Sequence, residues 1–443
     1  MHKIINYKNI NIDLVNFINL SISFMPFLYI LGAPWMEIPV LISAIYLIYY
    51  IIQNFTNKQN QIIFNDKLNL IFILLFIFIV FLSSFLSQEK TSILKSLAYF
   101  RYILFYLYII NFYDDKSFKK LVSFSFFSIS FVIFDILFQF IFGKDLFGIT
   151  PGLEYTRYQG PFGDELISGS FFKYFFFISL CFYLFDKQIL KIIFSILSVV
   201  VVVLSGEKSN LILFVFGIGL ISIFDLRKNL FFLVTIFVTL LSIFIIITNL
   251  TKINSDNDTL KRFKNLQNRY GIHLLNSVGF KIKSEEGKKL NNSFKNSPHV
   301  IHFISAYEIF NKNMLFGVGI KNFRKECKNL DNVKYSEIHN LNYEQFQKYK
   351  CSSHPHNKYL EILSETGLFG FLFFVLILAR IFYKFFINFL LKKKNVNNLI
   401  ITLFLFVFPF ATTGSFFTNK NSIFFWMILS ILTLLINKTD HKT

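Results

Sequence analysis

Three things are scarce or missing in this chain of 443 residues. Cysteine is one: with 3 in all, a scaffold built on disulfides is excluded, and room is left for a single bridge between Cys327 and Cys351, since Cys181 lies inside an apolar run. A cleavage site is another: the first apolar stretch, Leu14 to Gly32, is long enough to span a bilayer and has no small-residue cleavage pattern behind it, so it reads as a first transmembrane helix. The third is internal repetition, which a transporter made of duplicated halves would display.

What fills the chain instead is apolar mass. Hydrophobic residues make up 54%, Phe alone contributes 63, and runs of about 20 apolar residues recur along most of the length, the pattern of a polytopic helical membrane protein. A net charge of +19 would suggest nucleic acid in a soluble protein. Here the basic residues sit in short loops at a membrane surface, and no nucleic-acid partner is expected. Twelve spans are predicted: 14–33, 36–53, 68–87, 92–112, 118–142, 166–185, 189–205, 209–225, 229–250, 358–390, 398–415 and 421–437. Only helices satisfy the backbone across such runs, which are too long and too evenly apolar for barrel strands. The expected fold is all-α: residues 1–250 carry spans one to nine, 251–357 form a large loop, and 358–443 carry the last three.

Basic residues orient the bundle. Lys3 and Lys8, Lys58 and Lys67, Lys116 and Lys119, Arg227 and Lys228, and Lys392 to Lys394 all fall on one side, whereas the short opposite loops hold Lys90, Lys144, Arg157, Lys208 and Lys420. Both termini are therefore expected in the cytoplasm and the large loop outside. Within that loop, residues 299–313 read as a helix with Val300, Phe303, Ile304, Tyr307 and Phe310 on one face, followed by the glycine-punctuated turn "LFGVGIKNF".

The polar residues that look out of place share the outer side. "RYQGPFGDELISGSFF" brings Arg157, Asp164 and Glu165; "LSGEKSN" brings Glu207 and Lys208; "CSSHPHNKYLEILSETGLFG" brings His354, His356 and Asn357 where the loop returns to the membrane. Taken singly, Lys208 is an interface lysine, Arg157 a loop charge, and the H-x-H pair lacks the further ligands of a closed zinc site. Cys327 and Cys351 suit a disulfide in an oxidising compartment better than zinc. Within the bilayer Arg101, Asp135, Lys173, Glu361, Glu365 and Arg380 need partners or the bundle interior. Glu365 lies nine residues beyond His356, about 13 Å along a helix at roughly 1.5 Å per residue, so helix packing or arginine pairing is expected of it rather than catalysis. Gly367 and Gly370 are read as sites of close helix approach.

These motifs together resemble the O-antigen ligase and O-antigen polymerase superfamily. Its ligases carry a His-Asn pair, nine residues, then Gly-x-x-Gly at the end of the large loop; His356, Asn357, Gly367 and Gly370 match that spacing. "LFGVGIKNF" is similar to the family's Gly-Val-Gly turn, the Arg157 segment to its Arg-x-x-Gly-x-Phe-Gly-Asp-Glu, and "LSGEKSN" to its Ser-Gly-Glu-Arg, with Lys208 standing where Arg is usual. The resemblance implies a GT-C-like bundle in the bacterial inner membrane with a periplasmic active site. There an undecaprenyl-pyrophosphate-linked glycan would pass to an acceptor hydroxyl (lipid A–core or another glycan) with inversion and with neither metal nor cofactor. His356 would be the general base, at a near-neutral pKa. Arg157 and Lys208 would hold the pyrophosphate, with Asn357, Asp164, Glu165, Arg324 and Tyr359 as further substrate contacts. Glu361, Glu365, Gly367, Gly370, Cys327 and Cys351 would be structural. A surface-polysaccharide polymerase and a protein O-oligosaccharyltransferase share these features and remain open. A flippase is disfavoured because it has no need of a hundred-residue outer loop ending in His-Asn.

Overall fold

A computed structural model describes residues 12–57, 66–87, 89–151, 157–224, 296–390 and 394–440, with isolated helical turns between 233 and 241. The expected ninth span and the loop's first half, 251–295, fall outside the described residues. What is described is helical: α1 (Ile12–Ser23), α2 (Met25–Leu31), α3 (Ala33–Asn57), α4 (Lys67–Leu86), α5 (Lys90–Tyr99), α6 (Arg101–Phe112), α7 (Asp115–Phe142), α8 (Ser168–Ser179), α9 (Gln188–Leu204), α10 (Lys208–Phe224), α11 (Pro298–Lys312), α12 (Phe323–Glu326), α13 (Asn332–Ile338), α14 (Tyr343–Tyr349), α15 (Lys358–Leu390), α16 (Lys394–Phe406) and α17 (Asn419–Asp440).

Short polar side chains start many of these helices. Asp66 accepts from Asn69 N at 3.2 Å, Asp114 from Ser117 N at 2.8 Å, and Asp331 and Asn342 do the same for α13 and α14; each satisfies an amide that a helix start leaves unpaired. Gly143, at φ 83°, ends α7. Pro26 stands in the first turn of α2, where the chain bends 57° from α1.

Six helices among the described residues are long and apolar enough to cross a membrane, or seven if the bent α1–α2 pair is one span. The remaining expected spans are either shorter helices or lie largely outside the described residues. Helices α9 and α10 are shorter apolar helices, and the span expected at 398–415 stops as α16 at Phe406, because the chain beyond it turns back to meet the start of α15. Helix α17 forms the centre, with Phe424 to Leu429 fully buried, and packs against α3, α6, α15 and α16. Helix α15 lies along α4. Aromatic rings fill the interior: Tyr174 and Phe424, for example, stack at 4.2 Å. Leu41, Ile45, Phe78 and Phe134 are exposed on the outside, as a lipid-facing surface requires.

Several of the intramembrane charges have partners among the described residues. Arg101 forks onto Glu37 at 2.7 and 2.9 Å, Lys384 and Arg380 meet Asp66 at 2.7 and 3.5 Å, Lys173 Nζ donates to Asn210 at 2.8 Å, and Asp135 accepts from Leu146 N at 2.9 Å.

Residues 296–357 form a small helical module with its own core, including Ile301, Ile309, Phe323, Tyr335 and Phe346, closed by the Cys327–Cys351 disulfide. Helix α11 exists as expected but is rotated. Its buried stripe is Ile301, His302, Ser305, Ala306, Glu308 and Ile309, while Tyr307 is exposed. The small Ser305 and Ala306 lie on the buried side of a helix that packs against α15, and Glu308 is held there by His339 Nε2 at 2.6 Å.

Candidate active site

The junction between the module and α15 is tied down residue by residue. Asn357 caps α15, its Oδ1 accepting from Tyr359 N at 3.0 Å and Leu360 N at 3.1 Å. Its Nδ2 donates to Pro409 O at 2.7 Å, Lys358 Nζ to Phe406 O at 2.6 Å, and the Tyr359 hydroxyl to Val407 O at 2.5 Å. Three consecutive side chains thus satisfy carbonyls left open where α16 ends. Next to them His356 adopts φ 57°, a left-handed backbone uncommon outside glycine, and its carbonyl accepts from Thr413 N at 2.8 Å. Asn357 and Tyr359, expected to touch substrate, are occupied in holding this corner.

Around His356 stand three more imidazoles. Ring centroids lie 4.2 Å away for His354, 5.0 Å for His299 and 5.1 Å for His302. One ligand nitrogen from each of His299, His302 and His356 falls within 4.8 Å of the others, a grouping able to hold a metal ion. Burial, together with the charge His299 would carry, pushes the His356 pKa down to about 4. His302 falls to about 4 and His354 to about 3, from burial first and His356 second. For His356 this lies below the near-neutral value expected from sequence, because the ring is half withdrawn from water among its own kind.

Below this corner two glycine motifs interlock. Helix α15 kinks at Gly367, φ 67°, and the amides freed there find the turn: Leu368 N donates to Met314 O at 2.7 Å and Phe369 N to Leu315 O at 3.3 Å. In return Val318 N and Gly319 N donate to Ser364 O and Glu365 O at 3.1 and 2.8 Å. A Cβ on Gly367 would stand 2.3 Å from Leu315 O, and one on Gly317 2.5 Å from the Glu365 carbonyl carbon. The Glu365 carboxylate accepts from Lys321 N at 2.8 Å and Phe323 N at 3.1 Å, so it anchors this turn rather than an arginine. Glu361 accepts from Ser415 Oγ at 2.5 Å and Phe416 N at 2.6 Å, fixing the segment that also carries Thr413.

A cavity of about 740 Å³ opens beside the histidines. His354 lines it, with Lys95, Arg101, Lys321 and Lys420 among its walls; His356, Arg157 and Lys208 do not. Lys420 is paired with Glu165, and Lys321 Nζ donates to Ser415 Oγ at 3.0 Å. Lys95 and Lys420 lie outside the motifs, although a lysine inside an apolar run (Lys95) is a signal present in the sequence. Asp164 and Arg324 are exposed.

The two other motif segments dock on each other. Tyr158 N donates to Leu204 O at 3.1 Å, Gln159 Nε2 to Ser205 O at 3.1 Å, and Glu207 Oε1 accepts from Gly169 N at 2.9 Å. Arg157 is close enough to Glu207 to act on its charge. Lys208 begins α10, and its neighbour Ser209 shares a 2.6 Å hydrogen bond with Thr412, adjacent to the Thr413 that holds His356. That strap puts the Lys208 turn and His356 on one side of the bundle.

Residues 193–375 match the family model described as O-antigen ligase, which supports the O-antigen ligase superfamily for this chain. The matched region includes Lys208, the Gly-Val-Gly turn, His356 and the Gly367 kink, and leaves the Arg157 segment outside. No curated protein matches the chain significantly.

Proposed function

We propose that this chain is a metal-independent, inverting glycosyltransferase of the ligase type. On this reading it moves a glycan from undecaprenyl pyrophosphate to a hydroxyl of lipid A–core at the periplasmic face of the inner membrane, within a twelve-span bundle whose termini are cytoplasmic. The observation that carries the reading is a cation-lined cavity with His354 in its wall and the His356 ring centroid 4.2 Å from that of His354.

The chemistry divides between proton and leaving group. A neutral imidazole on His356 accepts the acceptor's hydroxyl proton as its oxygen bonds to the anomeric carbon, and the bond from that carbon to the pyrophosphate oxygen breaks. The departing pyrophosphate gathers negative charge, which Arg157 and Lys208 are proposed to stabilise, with Lys95 and Lys321 in the cavity as further candidates. Lysine supplies point charge without the planar fork of arginine, so Lys208 serves the same role with less geometric selectivity.

Purified protein assayed with a lipid-linked donor tests this. His356→Ala is expected to lose transfer while remaining folded; wild-type rates in that variant would remove His356 as base. Lys208→Arg should keep activity and Lys208→Ala lose most of it, and equal rates in the two would reduce Lys208 to an interface anchor. In a deletion strain, lipopolysaccharide gels separate the acceptors: a bare core beside free lipid-linked polymer marks a ligase, and a core bearing one repeat unit marks a polymerase.

A further inference from the structure

The four imidazoles gathered at the module's edge are more than one base requires. His299 and His302 are three apart on α11, which puts both on one face, and His356 meets them from the loop end. Among the described residues no carboxylate joins the trio: Glu308, the acid buried on the same helix, is taken by His339 at 2.6 Å. The His302 Nδ1 is buried without a hydrogen-bond partner, an arrangement that is unfavourable unless something occupies it.

Neutral imidazole nitrogens turned toward one point repel weakly and gain when a cation sits between them. The chemical class of that cation follows from the donors. Three nitrogens with no oxygen ligand disfavour magnesium and calcium, which take carboxylates, carbonyls and water, and suit zinc or its first-row neighbours. Zinc held by three histidines keeps a fourth, open position. Ligand nitrogens around a tetrahedral zinc at about 2.0–2.1 Å stand roughly 3.4 Å apart, so the spread of up to 4.8 Å found here would need to close by up to about 1.4 Å, which side-chain rotation can supply.

The geometry points to a zinc-class binding site formed by His299, His302 and His356, whose occupation withdraws the imidazole that transfer uses as base. The inhibitory half rests on the proposed role of His356; the binding half does not. Metal capture at this corner would then make an enzyme that works without metal sensitive to it.

Cobalt(II) is the probe, titrated into the detergent-solubilised full chain after chelator treatment. One equivalent is expected to give the visible ligand-field absorption of a tetrahedral cobalt site and to be displaced by zinc. His299→Ala removes an exposed ligand with little risk to the fold and should weaken cobalt binding by more than the roughly 10–100-fold that loss of a supporting neighbour costs. His302→Gln should do the same, with helix content checked by circular dichroism. In the transfer assay, zinc should inhibit the wild type, chelator should reverse it, and His299→Ala should transfer glycan while resisting zinc. Absence of the cobalt spectrum, or equal affinity in His299→Ala and wild type, overturns the site. Chelated protein that loses transfer and regains it with zinc overturns the inhibitory role. The base reading stands or falls separately, on His356→Ala assayed in chelator.

Discussion

At φ 57° the backbone of His356 carries a local strain that glycine would avoid, on the order of 1–2 kcal/mol for a left-handed residue with a Cβ. Strain retained at one position, with neighbours fixing it from both sides, is a mark of a working residue. The His356→Gly variant separates chemistry from folding: glycine removes the ring and accepts the conformation. Its thermal unfolding should match or exceed that of His356→Ala, while both lose on the order of 100-fold or more in transfer, the usual weight of a general base. A pH profile adds a second check. The base works neutral, so protonation removes it, and with the pKa held at about 4 the acid limb of kcat/KM in chelated enzyme should fall near pH 4 rather than near 6.5. A limb at 6.5 would mean that His356 is solvated, or is not the base. At this scale the His-Asn pair is legible from spacing. The helix cap made by Asn357 and the tether made by Tyr359 are not, because which carbonyls come within reach is decided by a segment some fifty residues away.

Among the elements, the turn at Met314–Phe323 and the kink in α15 form one object. Each had been visible separately as a glycine motif. Nothing in either stretch reports that the amides freed at Gly367 are taken up by Met314 and Leu315, since periodicity describes faces within an element and not contacts between two. Gly367→Ala is expected to destabilise well beyond the roughly 1–2 kcal/mol of its backbone alone, because its Cβ would collide with Leu315 O at 2.3 Å. Gly219→Ala, on α10 with nothing within 4 Å of the added carbon, is the control and should be neutral or slightly stabilising. Thermal unfolding of the two solubilised variants checks both; a Gly367→Ala protein as stable as wild type would mean the latch is not needed. Helix α11 teaches the complementary lesson. Counting large apolar residues chose the wrong stripe, since small side chains and a buried Glu–His pair occupy the side that packs.

For the molecule as a whole, composition alone established an all-helical membrane protein. Six or seven spans stand out among the described residues, and a hydropathy window does not separate these from kinks and short helices such as α9, α10 and α16. The module at 296–357 stands on a core of few residues, and the Cys327–Cys351 bridge closes a stretch of 24 residues within it. Removing such a cross-link costs roughly 3 kcal/mol. The Cys327→Ser, Cys351→Ser double variant should therefore show earlier proteolysis between residues 323 and 351 and reduced transfer, in a chain whose bundle still inserts. Unchanged proteolysis would show that the core suffices alone. A bridge of this kind also suits the oxidising side of the membrane. Labelling of a cysteine placed at exposed Tyr343 in intact cells should accordingly succeed with a membrane-impermeant reagent; labelling only after lysis would invert the proposed topology.

The clasp made by Asn357, Lys358 and Tyr359 on the tail of α16 has a kinetic meaning. With its carbonyl bonded to Thr413 and the next three side chains moored, His356 is a fixed post rather than an arm. Bringing the reacting hydroxyl within proton-transfer range then falls to the acceptor's own approach and the turn of one ring, and turnover is expected to track how fast that acceptor arrives and leaves, with the histidine's backbone standing still throughout.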